Sequence, residues 1–516
     1  MRGKRHFTDY ESVTRSRQVN LRENDQAKED WPRRSGAEAA EDGSADGHAG
    51  AERAGATDQP PPRIVRAGGE PNWVLRRGHM LSYLGLFLFT AVLYFRPYEL
   101  FPALSSFNNM AFVLAVATLV IFFPSQLALE GTLTARPREV NLLLLFCLAA
   151  LLSIPLAIDP GMAWDTFSGN FIKAVLMFVV MVNAVRTERR LKVLMLLALA
   201  VSLFLSVGAL EDYYSGNLAV ESYRVAGRIG GLFDNPNDLA LHLATMIPIA
   251  VALLLGARGV ARKLAYGVCA ALMLAAITVT FSRGGFLGLV AASTVLAWKF
   301  GRRNRFVVVA VMLVAVTLFL ALAPGNSPAR ILSIFIPSLD PVGSSGARQQ
   351  LLIKSVLVAL RHPLLGIGMG NFPIVSIHDQ VTHNAYTQVA SEMGMAALVL
   401  YVLLIVSPLK RLREIEAQTY EARRTSRFFY YLSVGLQASL VGYMVSSFFA
   451  SIAYLWYVYY LVGYAVCLRR MYEAEHGFLK ESSDDSAQRG AEHTPEAGGR
   501  SEVFTNTEVE GRLVAE

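Results

Sequence analysis

Stretches of about twenty mainly apolar residues recur along most of this chain, the length a helix needs to cross the hydrocarbon layer of a bilayer. Within that layer every backbone polar group must find its partner inside the structure, which favours helices. The fold class read from the sequence is therefore an all-α polytopic membrane protein. Composition agrees: of 516 residues 53% are hydrophobic and 17% charged, with a mean hydropathy of +0.37. A soluble domain usually carries roughly 25% charged residues.

Apolar length predicts about twelve spanning helices, with cores near 80–95, 108–123, 140–158, 170–185, 191–210, 238–255, 264–281, 286–300, 306–323, 385–406, 428–448 and 450–468. The last two are expected to form a tight hairpin. Residues 1–75 and 471–516 are polar and poor in large apolar side chains, so they read as disordered cytoplasmic extensions of a membrane domain over 76–470. No cleavable signal peptide opens the chain, so the first span is expected to act as an uncleaved anchor. Cys147, Cys269 and Cys467 all lie inside apolar runs, which suggests no disulfide framework.

The net charge of +7 matters less than its placement. Lys and Arg crowd alternate connections, at 76–77, 136–138, 186–192, 258–263, 299–305, 410–427 and 469–470. The intervening ones are nearly free of cations apart from Arg96, Arg224, Arg228 and Arg283. By the positive-inside rule both termini are cytoplasmic. Two long connections then face outward, 211–237 and 324–382, the second lying between the ninth and tenth spans. Within it, ARQQLLIKSVLVALRH resembles an amphipathic helix at the outer membrane–water boundary, with cations at Arg348, Lys354 and Arg361.

Outward-facing arginines stand out because topology normally keeps them inside. Arg228 precedes the helix start Asn235-Pro236-Asn237-Asp238. Arg283 sits in a tight turn whose flanking glycines would let a ligand approach the backbone, and Arg348 opens the amphipathic helix. Each can snorkel to headgroups or cap a helix, or its planar fork can bind diphosphate. Arg224 and Arg330 read as surface charges. His383 is the candidate base, since a position at a helix start lowers its pKa and keeps the imidazole neutral. His362 and His378 lack that position, and His242 reads as a packed polar residue. Asn384, Gln388 and Ser391/Glu392 recur at helical spacing as a polar stripe. Glu392, deep in an apolar run, needs either an outer arginine or a role with substrate. Gly394 is expected to allow close helix packing.

The chain has no GxxxxGK[ST] loop, HExxH or CxxC. An outward-facing synthetic site has no access to cytosolic ATP, so its energy must arrive in an activated lipid-linked donor. A diphosphate leaving group needs cations more than a general acid.

These residues resemble the O-antigen ligase superfamily, polytopic proteins with a large external loop. Arg283-Gly284-Gly285-Phe286-Leu287 is similar to its arginine–leucine motif. His383-Asn384 followed by Gly394 is similar to its histidine motif, although Ala397 stands where a second glycine is usual. RHPLLGIGMGNF and GLFDNPNDLA are also similar to family stretches. The resemblance implies glycan transfer from an undecaprenyl-diphosphate carrier to a lipid A–core sugar or a protein at the periplasmic face of the bacterial inner membrane. It implies His383 as base, Arg228, Arg283 and Arg348 on the diphosphate, Asn384, Gln388 and Glu392 in support, and neither metal, cofactor nor ATP. Membrane lipids are the other expected partners, and no nucleic acid is. Repeat-unit polymerisation is the same-superfamily alternative. A lipid-linked-glycan transporter is the alternative from another class.

Overall fold

The structure, a computed structural model, describes residues 73–100, 104, 109–218, 224–229, 233–301, 344–423 and 427–492. Helices account for its regular structure, and no strand occurs among the described residues. In chain order they are α1 Trp73–Phe95, α2 Met110–Glu130, α3 Arg138–Ser153, α4 Pro160–Ala184, α5 Glu188–Tyr214, α6 Pro236–Gly256 and α7 Val260–Thr280. They continue with α8 Arg283–Phe300, α9 Ser344–Arg361, α10 Ala385–Met393, α11 Met395–Thr419, α12 Arg427–Ser446 and α13 Trp456–Glu492. Within α4, Phe167–Phe171 forms a π turn.

Local chemistry sets the starts. Asp159, Thr187, Asn235, Ser282 and Asn384 each accept a backbone N–H from the first turn of the helix that follows. Pro160 and Pro236 occupy first-turn positions, where the missing N–H costs nothing.

Among the described residues nine helical stretches are long and apolar enough to cross a membrane. They correspond to α1–α7, α11 and α12. Burial separates an inner set from a rim: α6 and α12 bury 78% and 72% of their apolar length, whereas α2 and α7 bury 28% and 33%. α8 is apolar but carries Arg283 and Lys299 at its ends, and α13 is rich in tyrosine. From Trp456 to Leu468 nearly every residue of α13 that has a side chain is buried. A helix enclosed on all sides has no need to be soluble in lipid, so it can carry hydroxyls that bond inside the protein. Tyr460 shares a hydrogen bond with Thr90 at 2.8 Å, and Tyr459 donates to the Ala453 carbonyl at 2.7 Å. His242 is buried among Tyr94, Phe233 and Tyr457 and meets Ser202 Oγ at 3.0 Å, the packed polar role read for it.

One end of the bundle is pinned by buried ion pairs. Glu139 accepts from Arg469 at 2.9 Å and from Ser407 at 2.8 Å, joining α3, α13 and α11. Glu416 accepts from Lys299 at 2.5 Å and Gln437 at 3.0 Å, joining α11, α8 and α12.

The structure revises several boundaries. The run 385–406 is not one span. It breaks at Gly394, which has φ +89, and a Cβ there would collide with the Leu364 carbonyl. The Met395 N–H turns to the Pro363 carbonyl at 2.8 Å. Apolar continuity conceals the break because the buried residues of α10 and the largely exposed apolar residues of α11 read alike in the sequence. Gly394 therefore marks a break and also, having no side chain, lets the segment that follows α9 approach closely. The last hairpin is also looser than expected: a 3-10 turn, Ser447–Phe449, and a connection over 450–455 precede α13. At the other long connection α5 runs to Tyr214, so residues 211–214 are helical. The apolar run at 306–323 and most of 1–75 lie outside the described residues.

By contacts the chain divides into two units, Met1–Tyr472 and Glu473–Glu516. In the second, the described residues are helical to Glu492. The tail read as disordered from 471 therefore begins inside a helix, consistent with its content of Glu, Ala, Lys and Leu, all good helix formers.

Gly394→Ala is expected to cost roughly 1–3 kcal/mol from the left-handed backbone alone, with the collision adding to it. The check is a lowered thermal midpoint of the detergent-solubilised protein.

Candidate active site

The end of the bundle opposite those ion pairs gathers the non-helical backbone. Three pieces meet there: the turn at 447–455, the loop 362–384 and the starts of α6 and α8.

Ser451 organises the first contact. Its Oγ accepts the His383 N–H at 2.7 Å and shares a hydrogen bond with Thr382 Oγ1 at 2.9 Å. His383 lies one residue before the cap Asn384, with φ +52, in a left-handed conformation that costs a side-chain-bearing residue about 1 kcal/mol or more. Such strain persists where surrounding bonds over-determine it, as Ser451 and the Asn384 cap do here. Asn384 Oδ1 accepts from Tyr386 N at 2.9 Å and Thr387 N at 3.1 Å, while its buried Nδ2 has no partner among the described residues.

The His383 imidazole is half-buried and its pKa is lowered to about 4, first by burial and then by the charge of Arg348. The neutral form follows from desolvation and a neighbouring cation. The helix-terminus field expected from the sequence is not among these causes. The same electrostatics brings Arg348 and His383 into one site.

Glu392 is almost wholly buried, and its partners are not the expected arginine. Its carboxylate accepts from Gly370 N at 2.9 Å, Phe372 N at 3.2 Å and Tyr454 OH at 2.8 Å. No arginine pairs with it among the described residues. Gly366, Gly368 and Gly370 all have positive φ, so the glycine run is a tight loop, and Glu392 clamps its N–H groups. Burial raises the Glu392 pKa to about 7 against the lowering effect of these bonds. Gln388 Oε1 accepts from Ala453 N at 3.3 Å. The stripe Asn384–Gln388–Glu392 thus fastens the site backbone together. The loop is also tied to α3 and α4, through Ile158 N to Ile367 O at 3.0 Å and Asp159 N to Asn371 Oδ1 at 2.6 Å.

Arg283 is half-buried at the start of α8, next to the same turn. Its flanking glycines do not open space for a ligand. A Cβ on Gly284 would meet the Phe449 Cβ at 2.7 Å, and one on Gly285 would collide with Ala240. They allow α8 to pack on the 447–451 turn and on α6. Since Phe449 precedes Ser451 by two residues, Arg283 and His383 flank one turn. Arg228 stands apart. It forms a fork with Asp212 at 2.9 and 2.7 Å and pairs with Glu211 at 3.0 Å, all on α5. A diphosphate would have to displace those carboxylates.

Sequence reading missed three participants. Arg224 is 4% exposed, not a surface charge. It donates to Thr280 O and Asn237 Oδ1 at 3.0 Å, while Ser282 Oγ bonds the same Asn237 oxygen at 2.9 Å. Arg224 therefore ties the 215–235 connection to the starts of α6 and α8. Ser451 and Tyr454 sit in a turn that apolar length absorbs into a span. The serines at 446, 447 and 451 were the available signal. His362 ends α9 on the surface, and the side chain of His378 and all of Arg330 lie outside the described residues. Among the described residues no group of three His, Cys, Asp or Glu could hold a metal ion.

The fold and site define a multi-pass helical membrane protein with a histidine–arginine site at one end of the bundle. Residues 268–402 match the family model described as O-antigen ligase, and this match supports a relation of that segment to the O-antigen ligase superfamily. The matched segment contains Arg283, Arg348, His383, Asn384, Gln388, Glu392 and Gly394, whereas Arg228 precedes it. No curated protein matches the chain.

Two expectations check the geometry. Carbethoxylation of His383, which needs the neutral imidazole, should fall as pH drops through about 4. In Arg348→Gln the midpoint should rise, while staying below 6.5 because burial remains. Quantitative mass spectrometry of the labelled peptide reads both. Glu392→Gln turns a carboxamide donor toward one of its three donors and should cost about 1–3 kcal/mol. Faster amide exchange confined to 366–372 would report it.

Proposed function

We propose that the protein moves a glycan from an undecaprenyl-diphosphate carrier to an acceptor hydroxyl, on a lipid A–core sugar or a protein, at the periplasmic face of the bacterial inner membrane. What supports this reading is a half-buried imidazole whose pKa is lowered by burial and by the charge of Arg348, within the segment that matches the ligase family.

In this mechanism His383 takes the proton of the acceptor hydroxyl as its oxygen attacks the anomeric carbon. The bond from that carbon to the diphosphate breaks, and the diphosphate leaves as an anion. Arg348 and Arg283 stabilise the charge that develops on it. Arg228 joins them once its fork is released from Asp212. A single displacement with one base inverts the anomeric centre. Asn384, Gln388 and Glu392 act by positioning.

The proposed topology counts twelve crossings. α8 and α13, each linked to both ends of the bundle, and the apolar run at 306–323 complete the nine. The site then lies at the periplasmic end, and both termini are cytoplasmic with their polar extensions.

Purified protein in vesicles, supplied with carrier-linked glycan and acceptor but no nucleotide, should transfer the glycan. His383→Ala should lower kcat by about 10²–10⁴-fold, the usual contribution of general acid–base catalysis. Undiminished transfer by that variant removes the base assignment. Product on the acceptor identifies a ligase, a ladder on the carrier a polymerase, and flux without transfer a transporter.

A further inference from the structure

α9 is apolar on two opposite faces. At about 100° per residue, Leu351, Ser355, Val358 and Ala359 share one arc, and all are less than 9% exposed. Leu351 and Val358 pack with Ile367 and Phe372. Ile353, Val356, Leu357 and Leu360 share the opposite arc and are 53%, 41%, 47% and 67% exposed. Aliphatic side chains this concentrated on one exposed face are not a water-facing surface.

The cations are sorted between these faces. Lys354 and Arg361 project from one flank, with Gln350, and all three are exposed. Arg348 falls on the buried side, between the directions of Ser355 and Ala359, and its charge is the one that reaches His383. The exposed arc also runs on into lipid-facing surface. The Met395 N–H bond to Pro363 O sets the end of α9 at the start of the span α11. There Leu364, Met395 and Val399 are 81%, 41% and 54% exposed.

We propose that α9 is seated in the leaflet of the bilayer at the site end. Its exposed aliphatic face lies among acyl chains, Lys354 and Arg361 meet the headgroup phosphates, and Arg348 is carried at headgroup depth toward His383. The partner is the lipid surface itself. Resting on the functional reading above, the consequence is that a lipid-linked diphosphate reaches Arg348 sideways from the leaflet, without being lifted into water.

Site-directed spin labelling tests the seating. Cys147, Cys269 and Cys467 are all buried, so single cysteines introduced at 350, 354, 353, 357 and 360 of the full chain can be labelled selectively. The protein is placed in vesicles of phosphatidylethanolamine and phosphatidylglycerol. Oxygen, which partitions into lipid, should relax labels at 353, 357 and 360 several-fold more than a water-soluble nickel chelate does. Labels at 350 and 354 should show the reverse. Chelate access at 357 and 360 equal to that at 350 would overturn the proposal in favour of a face in water. Exclusion of both reagents would overturn it in favour of a protein cover. A Leu357→Gln/Leu360→Gln variant should raise KM several-fold for a long-chain carrier in vesicles and leave KM unchanged for a water-soluble short-chain analogue. Equal KM values for the long-chain carrier in variant and parent would overturn the sideways route. The labelling pattern is read without turnover, so a protein that transfers no glycan would sink the functional reading and leave the seating intact.

Discussion

The buried carboxylate of Glu392 is the interaction on which the site end depends. Backbone N–H groups that leave a helix within a membrane bundle have little water to bond and must be satisfied by protein. Glu392 takes two from the glycine loop and, through Tyr454, fixes the turn before α13. A carboxylate so deeply buried is tolerable only because its acceptor positions are filled. Together with the backbone bonds of Ile367 to Ser391 and Gly368 to Glu392, those carboxylate bonds give the loop, the turn and the short helix α10 a common reference point.

That clamp explains how a strained histidine is held. α10 is a half-length helix stopped by Gly394 at one end and capped by Asn384 at the other. Its lower end is fixed by Glu392 and its upper end by Ser451, so the residue before the cap has little choice of backbone. His383 is presented at the edge of the protein with a low proton affinity. Arg348 approaches from α9, and Arg283 from the start of α8. The glycines beside Arg283 let α8 press against the same turn that holds His383. The candidate site groups and the packing contacts are thus the same few segments seen from two sides. The opposite end, with its Glu139 and Glu416 clusters, needs no such loops and is closed by ion pairs instead. Buried pairs of this kind are costly to break, although they contribute little net stability when formed.

Much of this was legible beforehand. Nine of the expected spans coincide with described helices long and apolar enough to cross a membrane, since a helix facing lipid must be apolar along its whole length. The charge of Arg348 also reaches the candidate histidine. What the one-dimensional pattern hid were interruptions. Gly394 and the 450–455 turn lie in unbroken apolar text because hydrophobicity reports burial, and a buried turn is as apolar as a buried helix. Arg224 was misjudged for the converse reason: a cation near a helix end looks solvated until the partners that bury it, Thr280 and Asn237, are known.

The sequence by itself determined that this chain is a helical membrane protein, where most of its spans fall, and which cationic and imidazole groups are available. Those properties depend on residue type and local spacing, which the bilayer reads directly. Only the tertiary structure decided that the charge of Arg348 reaches His383 while Arg228 is held by Asp212, and that Glu392 serves the backbone. Each of those outcomes depends on which partner a polar group finds across tens or hundreds of residues, and no local pattern encodes that choice.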